Sequence, residues 1–189
     1  MISSICKKYG ITNYTVNPDG SIDVTGDVDL SNYYLTELPL SFNRVTGRFN
    51  CMNNRLTSLK GSPRWVGGDF CFSYNRLPSL EFSPEYVGGH FYCRYNDLTT
   101  LKGSPRWVGG DFWCIDNQLT SLEFGPEYVG SDFWCNYNNL TDNYCDTEIG
   151  GSFYTSLKQD GLTKDNYNQW RKMYKRKMIL DDIFNMWEV

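Results

Sequence analysis

The segment GGDFWCIDNQL, residues 109–119, combines paired glycines, two carboxylates and a thiol. Residues of these types could cradle a phosphate, bind a metal ion or supply a nucleophile. A phosphate loop needs its glycines between a strand and the N-terminus of a helix, typically with a lysine nearby. Gly109 and Gly110 instead precede the apolar stretch, and no Lys-Ser or Lys-Thr pair follows them. The sequence therefore predicts no phosphate loop.

Nucleophilic chemistry would need Cys71 and the sole histidine, His90. Both are predicted to lie on adjacent strands, but the sequence shows no third group to orient the histidine and no oxyanion device. Cys71 is expected to face solvent as an unreactive thiol, because no residue near it in sequence activates it. No histidine and cysteine cluster has metal-ligand spacing. We therefore expect a protein that is not an enzyme and that uses no cofactor or metal ion.

A repeat of 21 residues places these candidate residues in a common frame. Self-similarity at a fixed short period is typical of a solenoid, in which each turn buries its apolar side against its neighbours. Fainter copies extend the repeat from residues 24–30 to residues 149–155, where one residue is deleted. The sequence predicts about seven turns over residues 22–156. The clearest positions of the frame are Phe49, Phe70, Phe91, Phe112 and Phe133, and Asn54, Asn75, Asn96, Asn117 and Asn138.

One repeat, GGHFYCRYNDLTTL (88–101), shows how a turn is built. Phe91 and Cys93 alternate with outward residues, which predicts a short strand with one buried face. Asn96 follows the strand, and its side chain is predicted to bond backbone groups and to form a ladder with its equivalents. Pro105 and the paired glycines predict a return path without room for a long helix. The same frame predicts small buried side chains at Cys51, Cys93, Cys114 and Cys135.

The stretch FYCRYNDLTTL resembles the leucine-rich repeat pattern L-x-L-x-x-N-x-L-x-x-L, with Phe and Cys at the first two inward positions. The repeat length and the proline in the return path resemble the short bacterial class. The SPRWVGGDFWC style resembles repeat proteins encoded by bacteriophages. The resemblance implies a leucine-rich repeat solenoid with a parallel β-sheet on its concave face. Its convex side would be a Pro/Gly-containing path that is non-helical or of 3-10 type.

Three parts are expected along the chain: an N-terminal cap (1–21), the solenoid (22–156) and a C-terminal helical cap (157–189). Near the first boundary, the Pro-Asp-Gly turn at 18–20 between alternating segments predicts a β-hairpin. In the last part, Thr163 is the expected N-cap of the helix. That helix either closes the solenoid or docks on a partner or a second copy of the chain.

The distribution of charge argues against nucleic acid as a partner. The net charge is −4, and residues 1–156 hold eleven basic and seventeen acidic side chains. The run RKMYKRK (171–177) is predicted to be the solvated face of a helix rather than a nucleic-acid or membrane patch. No apolar run predicts a signal peptide or a membrane span, and seven cysteines without a CxxC pair fit a reduced, cytoplasmic setting.

A longer period of 42 residues makes charges alternate in sign on neighbouring turns. Exposed opposite charges in such rows are predicted to neutralise each other, each pair contributing about 0–1 kcal/mol. The two rows are Lys60, Glu81, Lys102 and Glu123, and Arg64, Glu85, Arg106 and Glu127.

The positions that are informative about function are the outward ones, where the 21-residue repeat is kept but the residue type differs from turn to turn. Tyr92, Trp113 and Trp134 share one column, and the core does not require two outward tryptophans on adjacent strands. Interface anchors are enriched in Trp, Tyr and Arg. Two alternatives remain open: the C-terminal helix covers these aromatics, or they are surface residues without a partner. The predicted partner-binding residues are Arg48, Asp69, Tyr74, His90, Tyr92, Arg94, Tyr95, Asp111, Trp113, Asp116, Asp132, Trp134 and Tyr137.

These observations favour a non-enzymatic protein-binding module that presents an aromatic and acidic face to another protein. The resemblance to phage-encoded proteins implies that the partner is a bacterial host protein, such as a defence protein, which binding inhibits or redirects in the host cytoplasm. The alternative function is sequestration of a small ligand such as a nucleotide signal, for which this face offers only the cations Arg48 and Arg94. Self-association through the C-terminal helix is a further alternative.

Overall fold

The computed structural model describes residues 2–141 and 145–156. The described chain is a β-solenoid built from one short helix and two sheets whose strands are parallel from turn to turn. The predicted C-terminal helix with its N-cap Thr163, and the basic run 171–177, lie outside the described residues.

The chain begins with a helix and a hairpin. Helix α1 (Ile2–Lys8) buries Cys6 in the core at the first turn. Strands β1 (Tyr14–Val16) and β2 (Ile22–Val24) pair antiparallel, which confirms the predicted hairpin. Asp19 stabilises the turn, because its Oδ1 accepts the backbone N–H two residues later at 3.0 Å.

Seven strands form one parallel sheet, called the seven-stranded sheet below. Its register aligns equivalent repeat positions, so that Phe112 pairs with Phe91 on one side and with Phe133 on the other. Each strand of this sheet lies one turn after the previous one, so the seven strands span about six turns. This is one turn fewer than the sequence predicts. The strands are β3 (Val28–Asp29), β5 (Phe49–Asn50), β7 (Phe70–Cys71), β9 (Phe91–Tyr92), β11 (Phe112–Trp113), β13 (Phe133–Trp134) and β15 (Phe153–Tyr154).

The return path is not helical, as expected, and each turn of it includes a short strand between turns and bends. An aromatic-valine pair such as Trp107-Val108 recurs in the frame, so its backbone can pair in register with the turns on either side. The valine is fully buried and the aromatic ring points outward. With β1 and β2, this eight-stranded sheet contains β4 (Phe42–Val45), β6 (Trp65–Val66), β8 (Tyr86–Val87), β10 (Trp107–Val108), β12 (Tyr128–Val129) and β14 (Glu148–Ile149).

The core between the two sheets is filled by the repeated apolar positions. Phe91 and Phe112 are fully buried, and their ring centroids lie 4.9 Å apart. Gly109 lies at the corner between two strands, where a Cβ would come within 2.2 Å of the carbonyl oxygen of Gly88. No side chain fits at this corner, so glycine permits the close stacking of successive turns. The predicted burial of Cys51, Cys93, Cys114 and Cys135 is confirmed.

Asn96 shows how a buried amide joins neighbouring turns. Its Nδ2 donates to the carbonyl oxygens of Phe72 and Cys93, both at 3.2 Å. Its Oδ1 accepts the N–H of Leu77 at 3.1 Å. The predicted ladder is confirmed, although its rungs join side-chain amides to backbone groups rather than to one another. Equivalent bonds are made by Asn54, Asn75, Asn117 and Asn138.

We expect Asn96→Ala to lower the free energy of unfolding by about 3 kcal/mol, because several buried backbone groups lose their partners at about 1–3 kcal/mol each. Urea denaturation monitored by tryptophan fluorescence measures this loss. The matched control is Asp97→Ala, which changes the exposed neighbouring side chain and should shift stability by less than about 0.5 kcal/mol. Equal losses in the two variants would show that the buried amide does not tie the turns together.

Candidate functional site

The outer side of the seven-stranded sheet carries a row of four neighbouring rings, called the aromatic ladder: Tyr92, Trp113, Trp134 and Tyr154. The ring centroids of Trp113 and Trp134 lie 4.7 Å apart with the planes 10° from parallel. Those of Trp134 and Tyr154 lie 3.6 Å apart, and Tyr92 lies 6.2 Å from Trp113. All four side chains are partly exposed and none belongs to the core cluster. The structure therefore brings the three predicted aromatics of this column together.

Tyr154 belongs to the ladder but is absent from the residues predicted from sequence. Its position was readable, because IGGSFYT (149–155) is the last copy of the repeat and Tyr154 follows its inward phenylalanine. The deletion in that copy does not break the register, since Tyr154 pairs with Trp134 in the sheet.

The carboxylates beside the ladder also hold the turns together. Oδ1 of Asp69 accepts the N–H of His90 at 2.9 Å, and Oδ1 of Asp111 accepts the N–H of Asp132 at 2.9 Å. Asp132 in turn accepts the N–H of Ser152 at 2.7 Å. These predicted partner-binding residues thus have a structural use for one oxygen each, while their negative charge stays at the surface.

His90 takes the place of a carboxylate in this column. Its Nδ1 accepts the N–H of Asp111 at 2.9 Å, so the proton of the neutral ring lies on Nε2. Oδ2 of Asp111 also lies 3.2 Å from Nδ1. This contact is an ion pair only when the ring is protonated, and Nδ1 then no longer accepts the hydrogen bond from the Asp111 N–H. The same Oδ2 accepts Nε1–H of Trp113 at 3.3 Å. His90 is therefore engaged with Asp111, whereas Cys71 interacts with Arg48.

A second outward column begins where the strands end. The rings of Tyr74 and Tyr95 stack with centroids 4.5 Å apart. The phenol of Tyr95 donates a hydrogen bond to Asp116, and this bond raises the pKa of Tyr95. Tyr137 is 70% exposed. All four residues have φ between 53° and 59°, a left-handed conformation that costs a residue with a Cβ about 1–2 kcal/mol.

Cys71 does not face solvent, so that prediction was wrong. Its side chain lies on the outer side of the sheet but is only 3% exposed. Long side chains of the flanking turns, including Arg48 and Tyr92, surround it in a pocket. Burial raises the pKa of the Cys71 thiol, although a hydrogen bond with Arg48 opposes this effect. The sequence could not show this, because the covering residues lie about one repeat away.

A second set of aromatics lies on the eight-stranded sheet and was also absent from the sequence prediction. The rings of Trp65 and Tyr86 stack at 5.5 Å, and those of Trp107 and Tyr128 stack at 3.9 Å. The guanidinium of Arg44 lies 3.5 Å from the centroid of the Trp65 ring. The alternation of WVGG and YVGG in the repeat was the sequence pattern that indicated this second column of aromatic residues.

The predicted rows of alternating charge lie near this second set of aromatics. Arg106 donates two hydrogen bonds to Glu127, at 2.8 and 3.1 Å. Lys102 lies 3.6 Å from a carboxylate oxygen of Glu81. These pairs confirm mutual neutralisation at two places along the rows.

Within residues 2–141 and 145–156, no three histidine, cysteine or acidic side chains are arranged to hold a metal ion. The same described residues contain no helix that could cross a membrane. All seven cysteines lie among the described residues, and each side chain is buried.

The burial of Cys71 predicts that native protein has no fast-reacting thiol, because thiolate is the reactive form and burial disfavours it. Titration with Ellman's reagent should detect no rapid reaction before denaturation and all seven thiols after it. Thr57→Cys is a positive control, since residue 57 is exposed. A native thiol that reacts as fast as this control and maps to Cys71 would contradict the described pocket.

The exposure of the ladder predicts that its tryptophans are dispensable for folding. We expect Trp113→Ala and Trp134→Ala each to lower the free energy of unfolding by about 1–2 kcal/mol, since partial burial contributes less than full burial. Phe112→Ala, in the core of the same strand, should cost about 3–5 kcal/mol. Urea denaturation of the three variants makes the comparison. Losses as large for the tryptophans as for Phe112 would assign the ladder to the core.

No family model matches this chain, and no curated protein or solved structure was found to be similar. The molecule is a β-solenoid of parallel strands at 21-residue spacing.

Proposed function

We propose that this chain is a non-enzymatic binding protein that uses the outer face of the seven-stranded sheet to bind another protein. The aromatic ladder is the observation that carries the proposal. Its rings stay partly exposed above a layer of fully buried phenylalanines, such as Phe112 beneath Trp113. Two stacked tryptophans on a rigid sheet supply a large contact area at a low cost in conformational entropy, as interface anchors do.

Charge beside the ladder indicates the chemistry of the partner surface. Asp111 and Asp132 lie in the column next to Trp113 and Trp134. Asp116 follows β11, the strand that contains Trp113. An acidic surface next to aromatic faces suits arginine or lysine side chains, which can pair with carboxylates and pack over rings. The proposed partner therefore presents a basic patch to the ladder.

Finer features of the proposal rest on the sequence resemblance. The chain would belong to the leucine-rich repeat class, with the seven-stranded sheet on the concave side of the solenoid. The partner would be a protein of a bacterial host, which binding inhibits or redirects. The inward Phe and Cys positions and the asparagine ladder support membership of this class. The resemblance of SPRWVGGDFWC to repeats of bacteriophage proteins supports a bacterial host protein as the partner.

The seven-stranded face is favoured over the second set of aromatics for two reasons. The ladder runs without interruption across four turns and contains two tryptophans in direct contact. Near the second set, opposite charges pair with one another, as in Arg106 with Glu127. Charges that are already paired offer less to a partner.

Affinity capture from a bacterial lysate tests the proposal, with Trp113→Ala/Trp134→Ala compared with wild type. We expect the double variant to lose the captured protein, because hot-spot aromatics contribute about 2 kcal/mol or more each. The purified partner should then bind wild type at least about 100-fold more tightly than the variant, measured by calorimetry.

The matched control is Trp65→Ala/Trp107→Ala, which removes the same two side chains from the eight-stranded sheet. This control should retain the partner. If the control loses the partner and the ladder variant retains it, the interface lies on the eight-stranded sheet and the proposal is wrong. The association rate should also fall as the salt concentration rises, since the carboxylates of Asp111 and Asp132 attract a basic partner.

A further inference from the structure

A pocket of about 310 Å³ opens on the seven-stranded sheet at the N-terminal end of the aromatic ladder. It exists because one turn contributes the small side chains of Cys71 and Ser73. The next turn contributes Tyr92 and Arg94 at the equivalent positions, and the walls are therefore higher than the floor. The residues that line it are Arg48, Met52, Asp69, Cys71, Ser73, Tyr92 and Arg94.

Two polar atoms at this pocket are buried and lack a partner among the described residues: Oγ of Ser73 and Nε of Arg94. Ser73 is only 2% exposed, so its hydroxyl is nearly removed from solvent. Buried polar groups in native proteins are nearly always hydrogen-bonded, because leaving one unpaired is unfavourable. Two such atoms in the lining of one pocket indicate that a ligand atom satisfies them.

The chemistry of the lining selects the ligand. Neither Arg48 nor Arg94 forms an ion pair within 4 Å with any described carboxylate. Arg48 is held by its hydrogen bond with Cys71, and the Arg94 guanidinium lies 5.8 Å from the Trp113 ring. Guanidinium groups are donors only, and Ser73 adds a hydroxyl donor. Asp69 is the acidic residue of the lining, and its Oδ1 already accepts the N–H of His90. The three donor side chains then fit a group that is rich in acceptors, which is a carboxylate or a phosphate.

We propose that this pocket binds the carboxylate or phosphate of a small molecule between Arg48 and Arg94, with the Ser73 hydroxyl as a third donor. The partly exposed ring of Tyr92 forms a wall against which a planar group of the same ligand stacks. A volume of about 310 Å³ accommodates a small molecule. This site is additional to the protein-binding face, with which it shares Arg48, Asp69, Tyr92 and Arg94.

Titration of isotope-labelled protein with sodium phosphate, followed by amide chemical shifts, tests the site. Ionic strength is kept constant with sodium chloride, and sodium acetate is titrated in parallel. We expect at least one of the two anions to cause saturable shifts confined to the strands around residues 48–52, 69–73 and 92–94. Shifts that do not saturate with either anion, or that spread over all basic residues, would overturn the proposal.

Two variants identify the donors. Arg94→Gln removes the charge and Ser73→Ala removes the hydroxyl, and each should weaken the binding of the active anion about tenfold. Arg64→Gln is the matched control, because Arg64 is exposed and directly precedes β6 of the eight-stranded sheet. The spectra of the variants also report whether each one is folded. Unchanged affinity in folded Arg94→Gln would overturn the assignment.

A third titration tests the planar group. Adenosine 5′-monophosphate should bind more tightly than phosphate and add shifts at Tyr92, whereas equal affinity would refute stacking on this wall. Failure of this proposal is distinguishable from failure of the protein-binding proposal. Trp134→Ala should leave anion binding intact, and Ser73→Ala should leave the partner capture intact.

Discussion

In-register stacking of successive turns is the constraint on which the rest of this structure depends. The N–H of Phe91 donates to the carbonyl of Asp111 at 2.8 Å, and the N–H of Gly109 donates to the carbonyl of Val87 at 2.9 Å. A slip of one residue would turn every inward side chain to the outer face. The buried amide of Asn96 and the absence of a side chain at Gly109 both keep this register.

Stacking turns each repeat position into a column, and the columns define the surface. A column of aromatic residues becomes the ladder of Tyr92, Trp113, Trp134 and Tyr154, in which the last three rings are stacked. Where neighbours differ in size, the surface becomes concave instead, as at Cys71 and Ser73. The core is complete beneath both features, so outward residues can vary without changing the fold.

The same stacking gives surface residues structural roles. Asp69, Asp111 and Asp132 each accept a backbone N–H from the next turn while leaving negative charge on the outer face. Tyr95 adopts a left-handed conformation and still stacks on Tyr74. Substitutions in these columns therefore change stability, whereas the ladder tryptophans lie outside the core cluster.

The sequence by itself determined the repeat, the inward phenylalanines, the buried asparagine ladder and the column shared by Trp113 and Trp134, because a strict period records which positions must be equivalent. It did not predict the second parallel sheet at Trp107-Val108, where the strands are only two residues long. Only the tertiary structure decided that Cys71 is buried and that Arg48 and Arg94 line one pocket. Each of these facts depends on side chains in neighbouring turns, which lie about 21 residues or more apart in sequence and meet only after stacking.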